Sequence, residues 1–154
     1  MTKNILIRKI NEGDRAAFIK MSRDFYSSPA VLHDVPDEYH TGAFCELMRS
    51  DEYLECLIFE ADEGEIAGYA LLAKTYSREA GGVAVWIDEL YVLPDFRGRG
   101  IGGSFFCWLH ENIPAGRYRL ETEPENERAR NLYARYGYKE FPYLQMVKEN
   151  PSFQ

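Results

Sequence analysis

The sequence predicts a mixed α/β (α+β) fold: a central, mostly antiparallel sheet of six to seven strands flanked by about four helices, in one domain spanning 1–154. Two observations carry this reading. Between Tyr53 and Val92 three strand-like segments follow one another with no helix between them, so they read as antiparallel neighbours. Beyond Val92 the pattern changes to a glycine-rich turn, a helical period, a short strand and a second helical period.

Taken in order, Ile5 to Lys9 reads as a short first strand. Asn11 and Asp14 offer caps for a helix whose apolar positions Phe18, Met21 and Phe25 step by three and four. Ser27 to Pro36 is rich in turn formers and leads to a helix over Asp37 to Arg49, packing through Phe44, Leu47 and Met48. Tyr53 to Ala61 is an apolar strand ending at Asp62-Glu63-Gly64, a turn of the hairpin type. Ile66 to Tyr76 is its return strand, and Gly81-Gly82 opens a third strand, Val83 to Val92. Phe105, Leu109 and Ile113 mark the next helix, Tyr118 to Thr122 a strand, and Asn126 to Tyr136 a helix. Pro142 interrupts the tail, and Tyr143 to Val147 reads as a closing strand.

Composition narrows the function classes. The chain has 154 residues, enough for one sizeable core. No apolar run reaches the roughly 18 residues of a membrane span, and Met1 to Arg8 does not read as a secretory leader. A net charge of −7 speaks against nucleic acid as the main partner. Cys45, Cys56 and Cys107 form no CxxC pair, so no disulfide framework or zinc site is expected, and a reducing, cytoplasmic setting suits them. Cys56 and Cys107 lie in apolar segments and are expected to be buried. His33, His40 and His110 show no ligand spacing, so no metal is expected.

The segment Arg97-Gly98-Arg99-Gly100-Ile101-Gly102 lies between a strand and a helix. Glycines let successive amides converge on a ligand, and the helix adds its open N–H groups and the positive end of its dipole. Two arginines add charge in an acidic chain. This pattern suits a pyrophosphate. A P-loop would require Gly-Lys-Ser/Thr where Ile101-Gly102-Gly103 stands. Gly98, Gly100 and Gly103 formally satisfy a dinucleotide fingerprint, with Glu121 or Glu123 near its acidic position. The motif nevertheless follows three strands that have no helices between them, and too little chain remains for a doubly wound sheet.

Arg97-x-x-Gly100-x-Gly102, after Asp88-Glu89-Leu90-Tyr91-Val92, resembles the acetyl-CoA signature of the GNAT superfamily, the Gcn5-related N-acetyltransferases. Asn126-Glu127-Arg128-Ala129 and Leu132-Tyr133-Ala134-Arg135-Tyr136-Gly137-Tyr138 are similar to that family's second block, and Gly64 to Tyr69 resembles the turn and strand before its core. The resemblance covers Ile5 to Lys148 in element order. It implies a V-shaped cofactor cleft between the strand ending at Val92 and the one starting near Tyr118. It also implies acetyl-CoA as co-substrate, with no metal, and direct attack of a primary amine in a ternary complex. A homodimer is common in the family.

The same resemblance implies roles for individual residues. Backbone groups of Leu90, Tyr91 and Val92 would pair with the pantetheine arm, and an N–H at Leu90 or Val92 would face the thioester oxygen. Arg97, Gly98, Arg99, Gly100, Ile101 and Gly102 would hold the pyrophosphate. Asn126 would contact the coenzyme, although helix capping alone accounts for it equally well. Tyr133 is the expected acid for the departing thiolate. On periodicity alone it is a packing residue on the apolar stripe of its helix. Asp88 and Glu89 are the candidate bases with equal claim, and strand alternation sets them on opposite faces. Either also reads as a solvated charge at a strand end. Asp34, Asp37 and Glu38, with Asp88 and Glu89, suggest a cationic acceptor. Phe25, Tyr26 and Tyr39 suit a pocket wall or plain core packing. The rival reading is a non-catalytic acyl-CoA-binding regulatory module that keeps the cleft without the chemistry.

Overall fold

The computed structural model describes residues 4–151. Residues 1–3 and 152–154, at the ends of the expected domain, lie outside the described residues. One five-stranded sheet, β1 (Leu6–Lys9), β2 (Leu54–Glu60), β3 (Ile66–Ser77), β4 (Gly82–Val92) and β5 (Arg117–Leu120), runs in chain order. The first three pairings are antiparallel, and β4 with β5 is parallel. The helices are α1 (Arg15–Tyr26), α2 (Asp37–Arg49), α3 (Ile101–Asn112) and α4 (Glu127–Arg135).

Local chemistry accounts for the element ends. Asn11 and Asp14 form a capping box over a 3-10 turn that leads into α1, and Arg8 grips the Asp14 carboxylate at 2.8 Å, tying β1 to the helix start. The turn Asp62–Gly64 closes the β2–β3 hairpin with Glu63 and Gly64 both at positive φ.

Each sheet face buries its own core. In β2 the alternation is plain: Leu57 and Phe59 join α3 on one face, while Cys56 and Ile58 join α1 and α2 on the other. Phe105, Phe106 and Leu109 of α3 meet Phe59, Val85 and Ile87. Phe18, Met21 and Phe25 of α1, with Phe44 of α2, meet Tyr69, Leu71 and Tyr91. The β3–β4 register slips between Leu71 and Leu72, which oppose Glu89 and Ile87, so Asp88 is an extra residue in β4. This bulge sends Ile87 to the α3 core but Glu89 and Tyr91 toward α1 and α2.

Three expectations are corrected here. The sheet has five strands among the described residues rather than six or seven. Tyr143 to Val147 forms no strand, and its large side chains stand in solvent, Leu144 and Met146 each 90% exposed. Apolar composition makes a strand only where a neighbouring edge accepts it. Cys56 is buried as expected, whereas Cys107 is exposed because it falls on the outer side of α3.

Candidate active site

The pairing of β4 with β5 ends at Ile87 and Leu120, and β4 continues to Val92 with no strand on that side among the described residues. The next residues along each strand, Asp88 and Glu121, carry like charges. Asp88 is exposed, and its carboxyl is pushed up by partial desolvation and then by the charge of Glu121. The sheet therefore forks with acidic groups at the branch point.

On the α1 side of β4, Glu89 is 6% exposed. Tyr69 donates its hydroxyl to one carboxylate oxygen at 2.6 Å, and Tyr26 donates to the other at 3.1 Å. Burial drives the Glu89 carboxyl up to about 7, against the two hydrogen bonds, which favour the charged form. Both phenols are pushed well above their ordinary value, first by burial and then by Glu89, so they stay protonated as donors. Behind Tyr26, its ring lies edge-on to buried His40, whose Nδ1 is 2.6 Å from Ser22 Oγ. These contacts fix Tyr26 beside a Glu89 carboxyl that burial has pushed up to about 7.

Gly98 and Gly100 adopt φ of 75° and 78°, conformations in which a Cβ is strained, and neither has an atom where a Cβ would point. Gly100 is the N-cap of α3 and offers no side-chain cap, so the amides of Ile101, Gly102 and Gly103 are open. No acidic side chain stands in that first turn. Arg99 rests over the Phe96 ring. Arg97 is partly engaged: its Nε donates to the Val92 carbonyl at 2.8 Å and its guanidinium lies over Tyr91, locking the loop to the end of β4. This loop suits a diphosphate, with a helix dipole, open amides and two cations.

Tyr133 is half-buried on the opposite face from Glu89, edge-on to Phe106 at 5.7 Å and beside Tyr138. Burial raises its pKa, which keeps the phenol protonated. The two candidate catalytic groups thus flank β4 from either side. Leu90 and Val92 are half-buried and Tyr91 is buried in the α1 core, so their side chains pack while their backbone lines the unpaired edge. Asn126 accepts from the Ala129 amide at 3.1 Å and caps α4. The acidic run is less open than its sequence suggests, because Arg23 pairs with Asp37 at 2.7 Å. Phe25 packs in the core, whereas Tyr26 reaches the carboxylate.

Tyr69 was not legible as a site residue, since only the β3–β4 register brings it to Glu89. The Phe25-Tyr26 pair at the end of α1 was the available signal for Tyr26. Among the described residues, no group of three His, Cys, Asp or Glu side chains is placed to hold a metal ion, and no helix is long and apolar enough to cross a membrane.

A family model described as "Acetyltransferase (GNAT) family" matches residues 16–138, which include the glycine loop, the fork and α4. The chain belongs to the GNAT acetyltransferase family. It is 28% identical over 146 residues to a thialysine N-epsilon-acetyltransferase of Mus musculus, covering 85% of this chain and 82% of that protein. It is 29% identical over 141 residues to the uncharacterized N-acetyltransferase YhfO of Bacillus subtilis (strain 168), covering 87% and 89%. In fold it resembles a possible acetyltransferase from Clostridium difficile 630, with TM-score 0.80 at 20% identity over 95% of this chain and 97% of that one. It also resembles AAC(6')-Iy in complex with a CoA bisubstrate analogue, with TM-score 0.77 at 20% identity over 96% and 99%.

Proposed function

We propose that this GNAT protein is a single-domain, cytoplasmic N-acetyltransferase that moves an acetyl group from acetyl-CoA to a primary amine by direct attack in a ternary complex. The observation that carries the proposal is the unpaired end of β4, bordered by the open glycine–arginine loop and by the Glu89 carboxyl, which burial pushes up to about 7.

In this reading the fork between β4 and β5 is the V-shaped cleft. The amides of Gly98 to Gly102, with Arg99 and Arg97, hold the pyrophosphate, and the unpaired edge of Leu90 to Val92, apart from the Val92 carbonyl that Arg97 holds, aligns the pantetheine arm. Bound acetyl-CoA supplies an activated thioester. An alkylammonium, with an unperturbed pKa near 10.4, must lose a proton before it is a nucleophile. In this reading Glu89 would receive that proton, directly or through water, and its affinity for a proton lies close to neutrality. Asp88, exposed beside Glu121, acts instead on the charge of the arriving amine. Tyr133 keeps its proton at Oη and in this reading would supply it to the departing thiolate. A cationic acceptor fits the acidic fork formed by Asp88 and Glu121.

A thiol-release assay tests the proposal, with acetyl-CoA offered to polyamines, aminoglycosides, free amino acids and peptides, alongside Tyr133→Phe. The expected result is release with one amine class and a loss of about 10²-fold or more in the variant, the scale of general acid catalysis. No release across the panel, with acetyl-CoA still raising the melting temperature, would favour the acyl-CoA-binding module. No thermal shift either would exclude the coenzyme.

A further inference from the structure

From the sheet face opposite α3, we infer that the acceptor amine carries a carboxylate and that Arg119 recognises it. The inference rests on the proposed amine acetylation and names the class of its acceptor. Trp86 pairs with Arg119 one residue before the last β4–β5 pair, Ile87 with Leu120, so this level lies just inside the fork. Val85, Ile87, Tyr118 and Leu120 all pack into the α3 core. Alternation therefore turns Trp86, Arg119 and Glu121 to the other face, which Tyr69 and Glu89 also occupy. Trp86 is half-buried and joins neither core, so the helices leave this part of the face open.

Arg119 is half-buried there, its guanidinium 4.1 Å from the centre of the Trp86 ring and 5.0 Å from that of Phe141. It has no hydrogen bond or ion pair among the described residues, although Glu121 stands two residues along the same strand face. Its neighbour Arg117 is by contrast matched by Glu79 at 3.0 Å. Ring contacts occupy the flat faces of a guanidinium and leave its in-plane N–H fork free, the edge that matches a carboxylate. A partly desolvated cation without a counter-ion is costly, and an arriving anion relieves that cost.

Spacing sets the class of molecule. At about 3.3 Å per residue, the Trp86–Arg119 level lies roughly 7 Å along the sheet from Asp88 and Glu121, and roughly 10 Å from Glu89. An amine at Glu89 and an anion at Arg119 are thus about a lysine side chain apart. Glu121, between them, suits an α-ammonium. The face therefore offers a cation, then a carboxylate, then the reacting end, the order in which a diamino acid carries its carboxylate, α-ammonium and side-chain amine. A plain diamine would instead lay its cationic chain against Arg119, a repulsion that selects against it.

Calorimetric titration of the CoA-saturated protein with L-lysine, L-lysinamide, cadaverine and a short peptide ending in lysine tests the inference, beside thiol release with the same amines. Wild type should bind lysine about 10-fold or more tighter than lysinamide or cadaverine, the scale of a hydrogen-bonded charge pair. Arg119→Gln should lose that preference, with cadaverine affinity within about 2-fold of wild type and the turnover defect in KM rather than kcat. The peptide carries the same carboxylate; tighter binding of it than of lysine supports the role of Arg119 and assigns the carboxylate to a chain end. If Arg119→Gln does not fold, the wild-type preference for lysine over lysinamide decides alone. Equal binding of those two, tighter binding of cadaverine, or a preference that survives in a folded Arg119→Gln overturns the inference. An Arg119-dependent preference without thiol release from any amine would keep the anion site and strike the acetylation reading.

Discussion

Tyr69 donates a 2.6 Å hydrogen bond to Glu89 across the β3–β4 pair, with both residues buried. This contact exists because the Asp88 bulge turns Glu89 off the parity of Val85 and Ile87 and onto the face that Tyr69 occupies. A carboxyl in such a place is governed by two opposed effects. Burial raises its proton affinity, and the phenolic donors lower it. Burial wins and sets the group near 7.

The first consequence concerns rate. If Glu89 accepts the proton of the amine, activity rises with pH through about 7 as the carboxyl ionises. The pH profile of kcat/KM in wild type should show that ascending limb, and Glu89→Gln should lose it together with about 10²-fold or more of the rate. A variant that keeps both the limb and the rate would remove Glu89 from the chemistry.

The tyrosines tune that midpoint. Tyr69→Phe deletes a donor that favours the ionised form, so the midpoint should move upward. A hydrogen bond to a charged group is worth about 1.5–3 kcal/mol, which corresponds to roughly one to two pH units. Tyr26→Phe, at the longer 3.1 Å contact, should shift it less. pH–rate profiles of both variants, compared with wild type, measure this directly. A purely structural role would lower stability and leave the midpoint in place.

Stability carries the same signature with the opposite sense. Glu89 has its folded value raised from 4.5 to about 7. Between these values the native state holds more protons than the unfolded state, so stability falls as pH rises through this window and levels off above about 7. The loss attributable to this group is on the order of 3 kcal/mol. Chemical denaturation at pH 5 and pH 8 should therefore show a steeper decline for wild type than for Glu89→Gln. Equal declines would mean that the carboxyl is better solvated than its burial indicates.

Much of this architecture is legible in the sequence because it is local. Pro36 and the spacing through Phe44 delimit α2 at Asp37–Arg49, and the glycine loop ahead of α3 follows from residue type alone. What is not legible depends on register or on a neighbouring edge. No parity rule reveals that Asp88 is extra, since the bulge is defined by what β3 places opposite it. Tyr69 shares no motif with Glu89. The tail at Tyr143 to Val147 has strand composition but pairs with no strand among the described residues, and composition cannot supply a neighbour.

Gly68 connects the fold to the cleft. It pairs with Val92, and a Cβ there would collide with the Tyr91 carbonyl and approach the Val92 Cα at 3.0 Å. The obstacle is backbone in the middle of a sheet, so no side-chain rotation relieves it. Gly68→Ala must therefore push β3 and β4 apart at the stretch proposed to align the pantetheine arm, or bend β4 away from Arg97, which holds the Val92 carbonyl. Overpacking of this kind typically costs about 1–3 kcal/mol. The expected outcome is a lower melting temperature together with an acetyl-CoA KM raised about 10-fold or more, while the pH midpoint set by Glu89 stays near its wild-type value. A lowered melting temperature with unchanged KM would show that this end of β4 does not bear on the coenzyme. Unchanged stability would mean that the two strands approach less closely at Gly68.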